Sequence, residues 1–350
     1  MRNTARFSQL MQKLCSLLML VSLAACAPPF PRDARLDAEL AERSKNEGLA
    51  ILTTYVKPMP VTYFDGTYDR IDCGGRASQV WAVPGGTQLI GLDNSPPLAL
   101  LKKLTSDTAG QPKFAAELLS SLTPNLALFN LDGRELRRFG NWISAPYMAV
   151  SRDGTMIAFR GQGGVAPSNG HSHQDKGFLV GPIDATSFTV IELLPDPSAR
   201  TPDSVEEILG WSPDGSDLTY GRDGAIYAYN LRQHVTRDLA KGSNPQWSPD
   251  GERISYRGPN GEAMLVDSGT KRTQQLMTGH LIDYALRWSP DGRYLFLTLV
   301  TDAWSSTWAK RAIYRVSDGT LTSFGNAGPI TSDKRTEDWI LMPKRVKRSE

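Results

Sequence analysis

Cysteine is nearly absent from this 350-residue chain, which has three. Cys15 and Cys26 belong to the N-terminal leader, so Cys73 stands alone and no intramolecular disulfide can brace the fold. A lone thiol of this kind reads as a small buried apolar residue, with a reactive cysteine as the alternative. The fold must rest on packing, and a chain of this length can bury a sizeable core. An excess of one charge is lacking too. The formal net charge is +2, and Arg2, Arg6 and Lys13 of the leader account for it. Nothing in that balance favours a polyanion such as nucleic acid. No glycine-rich phosphate or dinucleotide loop stands before a helix. Gly210-Trp211-Ser212-Pro213-Asp214-Gly215 nearly mimics a nucleophile elbow, but its second glycine falls one position late and its context is a hairpin. These shortages predict no catalytic residues, no cofactor and no enzyme.

Histidine is equally scarce, with four in all. His171 and His173 sit in a Gly-rich stretch with Asp175 nearby, and His280 is placed on the same face by the topology below. Metal sites need three or four ligands in fixed geometry, which a loop supplies poorly. The expectation is no metal, with His171 and His173 kept as partner-binding candidates.

A long apolar span is also missing. Leu14 to Ala25 is apolar but too short to cross a bilayer, and it follows a basic start. It ends in Leu23-Ala24-Ala25-Cys26, which resembles a bacterial lipobox. That resemblance implies removal of residues 1–25 as a signal peptide and acylation (palmitate-type chains) at Cys26. Several acyl chains meet the need for more than one anchor. Ala27 rather than an aspartate after the cysteine implies an outer-membrane lipoprotein facing the periplasm. Residues 26–48 then read as a tether, stiffened by Pro28, Pro29 and Pro31, with a short polar helix expected over Asp33 to Asn46. The end, 344–350, reads as a solvated basic tail.

What the chain has in plenty is one phrase. Trp-Ser-Pro-Asp-Gly occurs at 211–215, 247–251 and 288–292, and a worn copy is Val150-Ser151-Arg152-Asp153-Gly154. A period near forty residues marks a repeat architecture. Proline, aspartate and glycine suit successive positions of a tight turn, and a strand-like run follows each copy. Asp-Gly and Asn-Gly pairs then separate further apolar runs, as hairpins require. The aspartates are what a turn needs at each repeat, and the tryptophan is a large ring to pack between sheets.

The pattern predicts an all-β fold over 49–343. It is a β-propeller of four-stranded antiparallel blades, six in number, with seven as the alternative. Five blades run from Val80 to Phe324. The last pairs Asp338 to Leu341 with Leu49 to Val56 and Val61 to Phe64, so both ends close the ring. The phrase, an aliphatic strand and an aromatic-rich strand ending in Asp-Gly together resemble the TolB-type propeller repeat, over about residues 78–325. In that family the repeat serves periplasmic scaffolds, peptidase propellers and some lyases, so it implies fold more than function. The chain departs from TolB in having no evident α/β domain before its first blade and in its lipobox.

In such a meander the phrase lies on one face of the disc. The long insertions Gly91–Asn125, Gly161–Lys176, Pro195–Ser204 and Thr301–Lys310 fall on the other, and insertions gathered on one face often mark a binding face. Two amphipathic segments, 98–104 and 114–119, lie in the first insertion. Trp304 and Trp308 lie in the last and are partner-binding candidates, since tryptophan is enriched at hot spots. The expected function is binding of another envelope protein or peptide through that face. The alternatives are a propeller enzyme (glycan lyase or hydrolase) and a cell-wall glycan-binding module.

Overall fold

The structure is a computed structural model. It describes residues 32–53, 58–73, 77–83, 86–93, 125–141, 148–160, 177–183, 189–192, 205–278, 281–282, 286–300, 309–326 and 337–342. The leader, Cys26, the basic tail and all four partner-binding candidates (His171, His173, Trp304, Trp308) lie outside them.

Six antiparallel sheets form six propeller blades. Helix α1 (Ala34–Glu47) precedes strands β1 (Leu49–Thr53), β2 (Met59–Tyr63) and β3 (Tyr68–Ile71). Blade two is β4 (Ala77–Ala82), β5 (Gln88–Asp93), β6 (Asn125–Asn130) and β7 (Glu135–Asn141). Blade three is β8 (Met148–Val150), β9 (Met156–Arg160), β10 (Gly177–Pro182) and β11 (Thr189–Glu192). Blade four is β12 (Val205–Trp211), β13 (Asp217–Arg222), β14 (Ala225–Asn230) and β15 (Val235–Lys241). Blade five is β16 (Ser243–Trp247), β17 (Arg253–Arg257), β18 (Ala263–Asp267) and β19 (Thr273–Gln275). In blade six the inner strand is split into β20 (Leu281–Ile282) and β21 (Arg287–Trp288), both paired to β22 (Tyr294–Val300). Strands β23 (Ala309–Arg315) and β24 (Leu321–Asn326) complete it. The sequence reading had one continuous inner strand here, from Tyr284 to Trp288.

The final strand, β25 (Glu337–Leu341), pairs with β1 from Leu49↔Leu341 to Thr53↔Glu337. The closing blade is therefore β25-β1-β2-β3, built from both chain ends as expected. Its outer strand β3 was not anticipated. Tyr68, Asp69 and Arg70 there lack the apolar alternation that marks a half-buried strand.

The core is a set of layers between blades. Leu265 packs toward blade six while its neighbour Val266 packs toward blade four. Alternate side chains of one strand thus serve two layers, because successive Cβ atoms point to opposite faces of a sheet. That explains why β1 is buried at all five positions.

Helix α1 is the main departure from the tether reading. Asp33 caps it, accepting from the Leu36 amide at 2.8 Å, and Gly48 ends it in the left-handed region with φ 75°. Leu36 and Leu40, one turn apart, are 0% and 1% exposed and pack on Tyr294, Phe296, Ile313 and Trp339. A segment half of whose residues are charged is held down by two leucines on one stripe.

Candidate binding face and channel

Hydrogen bonds divide the disc into two faces. Within a blade, the second turn bonds to the first: Ile183 N–H to Thr155 O at 2.7 Å, Leu231 to Ser216 at 2.9 Å, Ser268 to Glu252 at 2.9 Å, and Val316 to Arg293 at 3.0 Å. This is the motif face. On the opposite face Gly242 bonds Gly224 at 2.8 Å, Leu276 bonds Ala263 at 2.9 Å and Ile282 bonds Gly261 at 2.8 Å. The strand ends that border 94–124, 161–176, 193–204, 301–308 and 327–336 all fall on this second face, the long-loop face.

The repeated phrase builds turns. Ser212 Oγ donates to Asp214 Oδ1 at 2.6 Å and accepts from the Asp217 amide at 2.8 Å. Asp214 also accepts from the Ser216 amide at 3.1 Å. The same pattern recurs at Ser151–Asp153, Ser248–Asp250 and Ser289–Asp291, at 2.5 to 2.7 Å. Hydrogen bonds from Ser212 and Ser151 hold the Asp214 and Asp153 carboxyls below the usual range. Every motif glycine has positive φ, from 69° to 78°. The rings interlock: a Cβ on Gly292 would meet Pro249 at 3.3 Å, and one on Gly251 would meet Pro213 at 3.5 Å.

The tryptophans do more than fill space. Trp211 Nε1 donates to Ala149 O at 3.0 Å, and Trp288 Nε1 donates to Gln246 O at 3.1 Å. Each reaches the preceding blade, to the carbonyl just before the equivalent position. Trp339 Nε1 makes the same bond to Arg287 O at 2.9 Å. Trp339 is therefore the closing blade's counterpart of the motif tryptophan, without the Ser-Pro-Asp-Gly that would reveal it. Trp247 departs from this pattern: its Nε1 is buried without a hydrogen bond, and Thr219 Oγ1 donates to the Gly210 carbonyl at 3.0 Å.

Arg152 replaces the motif proline in blade three. Its guanidinium crosses the axis of the disc and donates to Pro249 O in blade five and to Pro290 O in blade six, the latter at 3.4 Å. The channel is thus bridged at the motif face. Farther along, inner strands of adjacent blades bring three polar side chains together. Arg287 donates to Gln246 Oε1 at 3.0 Å, and Asp338 stands within electrostatic range of Arg287. Asp338 is only partly hidden from solvent, yet desolvation pushes its carboxyl up in spite of that arginine. Sequence reasoning missed all of these groups. The one signal available was the arginine where the phrase has proline.

Described parts of the long-loop face include Arg257, whose Nε donates to Ile282 O at 3.1 Å, and Asn260, which donates to Glu262 at 2.8 Å. Lys241 is exposed there. Cys73 is 9% exposed, in the layer between the closing blade and blade two, beside a cleft of about 550 Å³ that Arg134 and Glu135 also line.

No family model matches the sequence, and no curated protein matches it either. Solved structures do. TolB from Acinetobacter baumannii matches with a TM-score of 0.51 and 14% identity, over 83% of this chain and 66% of that one. A putative TolB from Agrobacterium tumefaciens matches with a TM-score of 0.49 and 16% identity, over 83% of this chain and 96% of that one. The chain thus spans slightly less than two thirds of the Acinetobacter protein. At this identity the likeness establishes a TolB-like propeller fold.

Proposed function

We propose that this chain is a lipid-anchored propeller of the bacterial envelope that binds another envelope protein or peptide, without catalysis, through its long-loop face and channel mouth. The observation that carries the reading is the asymmetry of the disc. One face consists of short turns bonded to one another and bridged by Arg152. The other receives every long connection. Surface loops on a rigid scaffold are where binding residues concentrate.

The channel wall supports the same reading. Asp338 is a carboxylate whose ionised form is disfavoured where it stands. A group kept at such a cost beside Arg287 and Gln246 is a candidate for polar contact with a partner entering from the long-loop face. Trp304 and Trp308, on the connection between β22 and β23, are the proposed aromatic anchors. Acylation at Cys26 and outer-membrane placement are proposed from the leader sequence.

In-cell photo-crosslinking tests this. A crosslinker at Lys241 on the long-loop face is expected to capture an envelope protein, and one at Arg232 on the motif face is expected to capture none. Alanine at Trp304 and Trp308 should weaken capture at least tenfold. Equal capture from both faces, or capture from Arg232 alone, would overturn the assignment.

A further inference from the structure

The position of helix α1 bears on how the disc stands relative to its anchor. The helix lies as a spoke across the motif face of blade six. At its start, the Asp33 amide donates to Thr322 Oγ1 at 3.1 Å, and Thr322 donates to Asp37 at 2.6 Å. Thr322 belongs to β24, the outermost strand. Midway, Glu39 accepts from the Tyr294 hydroxyl and from Arg315. Toward its end, Arg43 pairs with Asp291 of the third motif turn at 2.7 Å and lies 5.4 Å over the Tyr294 ring. With Leu36 and Leu40 fully buried, the helix is part of the disc. The chain therefore enters the fold at the outer rim of the motif face.

We infer that the disc is held with its motif face toward the bilayer and its long-loop face presented away from it. This rests on the acylation of Cys26 proposed above. Only residues 27–31 separate Cys26 from Arg32, where the described structure starts. Six peptide steps reach at most about 20–22 Å. A chain of this length drawn in the polyproline form, which three prolines favour, would be slightly shorter. Strand β22, with seven residues, is itself about 24 Å long, and the described motif turns add to that height. A leash that short, leaving from the motif-face rim, cannot carry acyl chains around to the opposite face. The Arg152 bridge fits this polarity, since the mouth it spans is the one turned to the membrane. Among the described residues, helix α1 presents no basic patch. Helix α1 carries Asp37, Glu39, Glu42 and Glu47 against Arg35, Arg43 and Lys45, and each motif turn adds an aspartate. The acyl chains attach the protein without anionic lipid, and the basic residues at 344–348 follow β25, which ends on this same face.

Energy transfer on the reconstituted full-length protein tests this. A donor dye is placed at Ser317→Cys on the motif face or at Lys241→Cys on the long-loop face, both exposed positions, and Cys73 is buried from the label. The acceptor is a dye on the lipid headgroup in phosphatidylethanolamine–phosphatidylcholine vesicles. Transfer from position 317 should exceed that from 241 at least twofold. A flexible insert of about twenty Gly/Ser residues between 31 and 32, with a root-mean-square span near 25 Å, should erase the difference. Equal or reversed transfer in attached protein overturns the orientation and leaves the anchor standing. A difference that survives the insert overturns the leash argument. A Cys26→Ser protein that still floats with vesicles, or native protein that does not, overturns the anchor and the orientation with it.

Discussion

Replacing Trp339 probes how the ring is closed. This residue is 2% exposed on β25, where its ring lies 5.6 Å from Phe64 and 6.2 Å from Tyr294, and its Nε1 donates to Arg287 O. Trp339→Phe keeps an aromatic ring in the layer and removes the donor. The lost hydrogen bond and the smaller ring should together cost about 1–2 kcal/mol. Trp339→Ala also empties the layer between the closing blade and blade six. Large-to-small changes of this kind cost about 3–5 kcal/mol, to which the missing bond adds about 1 kcal/mol. Urea unfolding should therefore give both variants midpoints well below the parent, with unfolding free energies separated from each other by at least about 2 kcal/mol. Hydrogen exchange should show β1 and β25 opening first, because the Trp339 ring is the largest side chain β25 places in that layer. An alanine variant within about 1 kcal/mol of the parent would refute the claim that this side chain closes the propeller. A phenylalanine variant indistinguishable from the parent would show that the bond to Arg287 O contributes nothing.

Other outcomes follow from the same geometry. Gly48→Ala should cost at least about 2 kcal/mol in the same urea assay, since φ is 75° there and a Cβ would lie 2.0 Å from the Met342 carbonyl oxygen. The lowered Asp153 and Asp214 carboxyls stabilise the fold fully above the unfolded value of 3.8, and that contribution is lost as pH falls through their lower folded values. Acid melts of Ser151→Ala and Ser212→Ala should thus show a smaller loss below pH 3.8 than the parent, which unchanged profiles would contradict. Asp338 has the opposite sign. Its carboxyl is raised, so ionisation weakens folding above 3.8, and Asp338→Asn should melt higher at pH 7 and equally with the parent in acid. Arg152→Ala should cost no more than about 1 kcal/mol, because the side chain is exposed, and should leave the six blades unchanged by circular dichroism.

The fold was legible because its signal is local and repeated. Ser-Pro-Asp-Gly dictates a turn wherever it stands, and three copies at similar spacing leave few architectures. The candidate site was not, because its parts come from separate blades. Arg152 meets Pro249 and Pro290 across 97 and 138 residues of chain, so the sequence displays only a missing proline. Arg287 and Asp338 read as ordinary charges in strands until adjacent inner strands bring them together. Trp339 repeats the tryptophan bond without the turn residues, so no pattern search aligns it. The docking of α1 was half visible: Leu36 and Leu40 mark a stripe, but only the packed structure says what the stripe covers.

The pairing of β1 with β25 also sets the order in which the molecule can be finished. Residue 49 is made long before residue 341, its partner in the ladder. Bringing them together costs about 5 kcal/mol of loop entropy if the chain between is loose, and far less once five blades have stacked. The ring must therefore close last. Until then β1 presents a bare edge, able to template pairing with another unfinished copy. A chain cut anywhere before 337 would keep that edge for good. Aggregation of C-terminally clipped protein, rather than simple loss of activity, is the failure this topology invites.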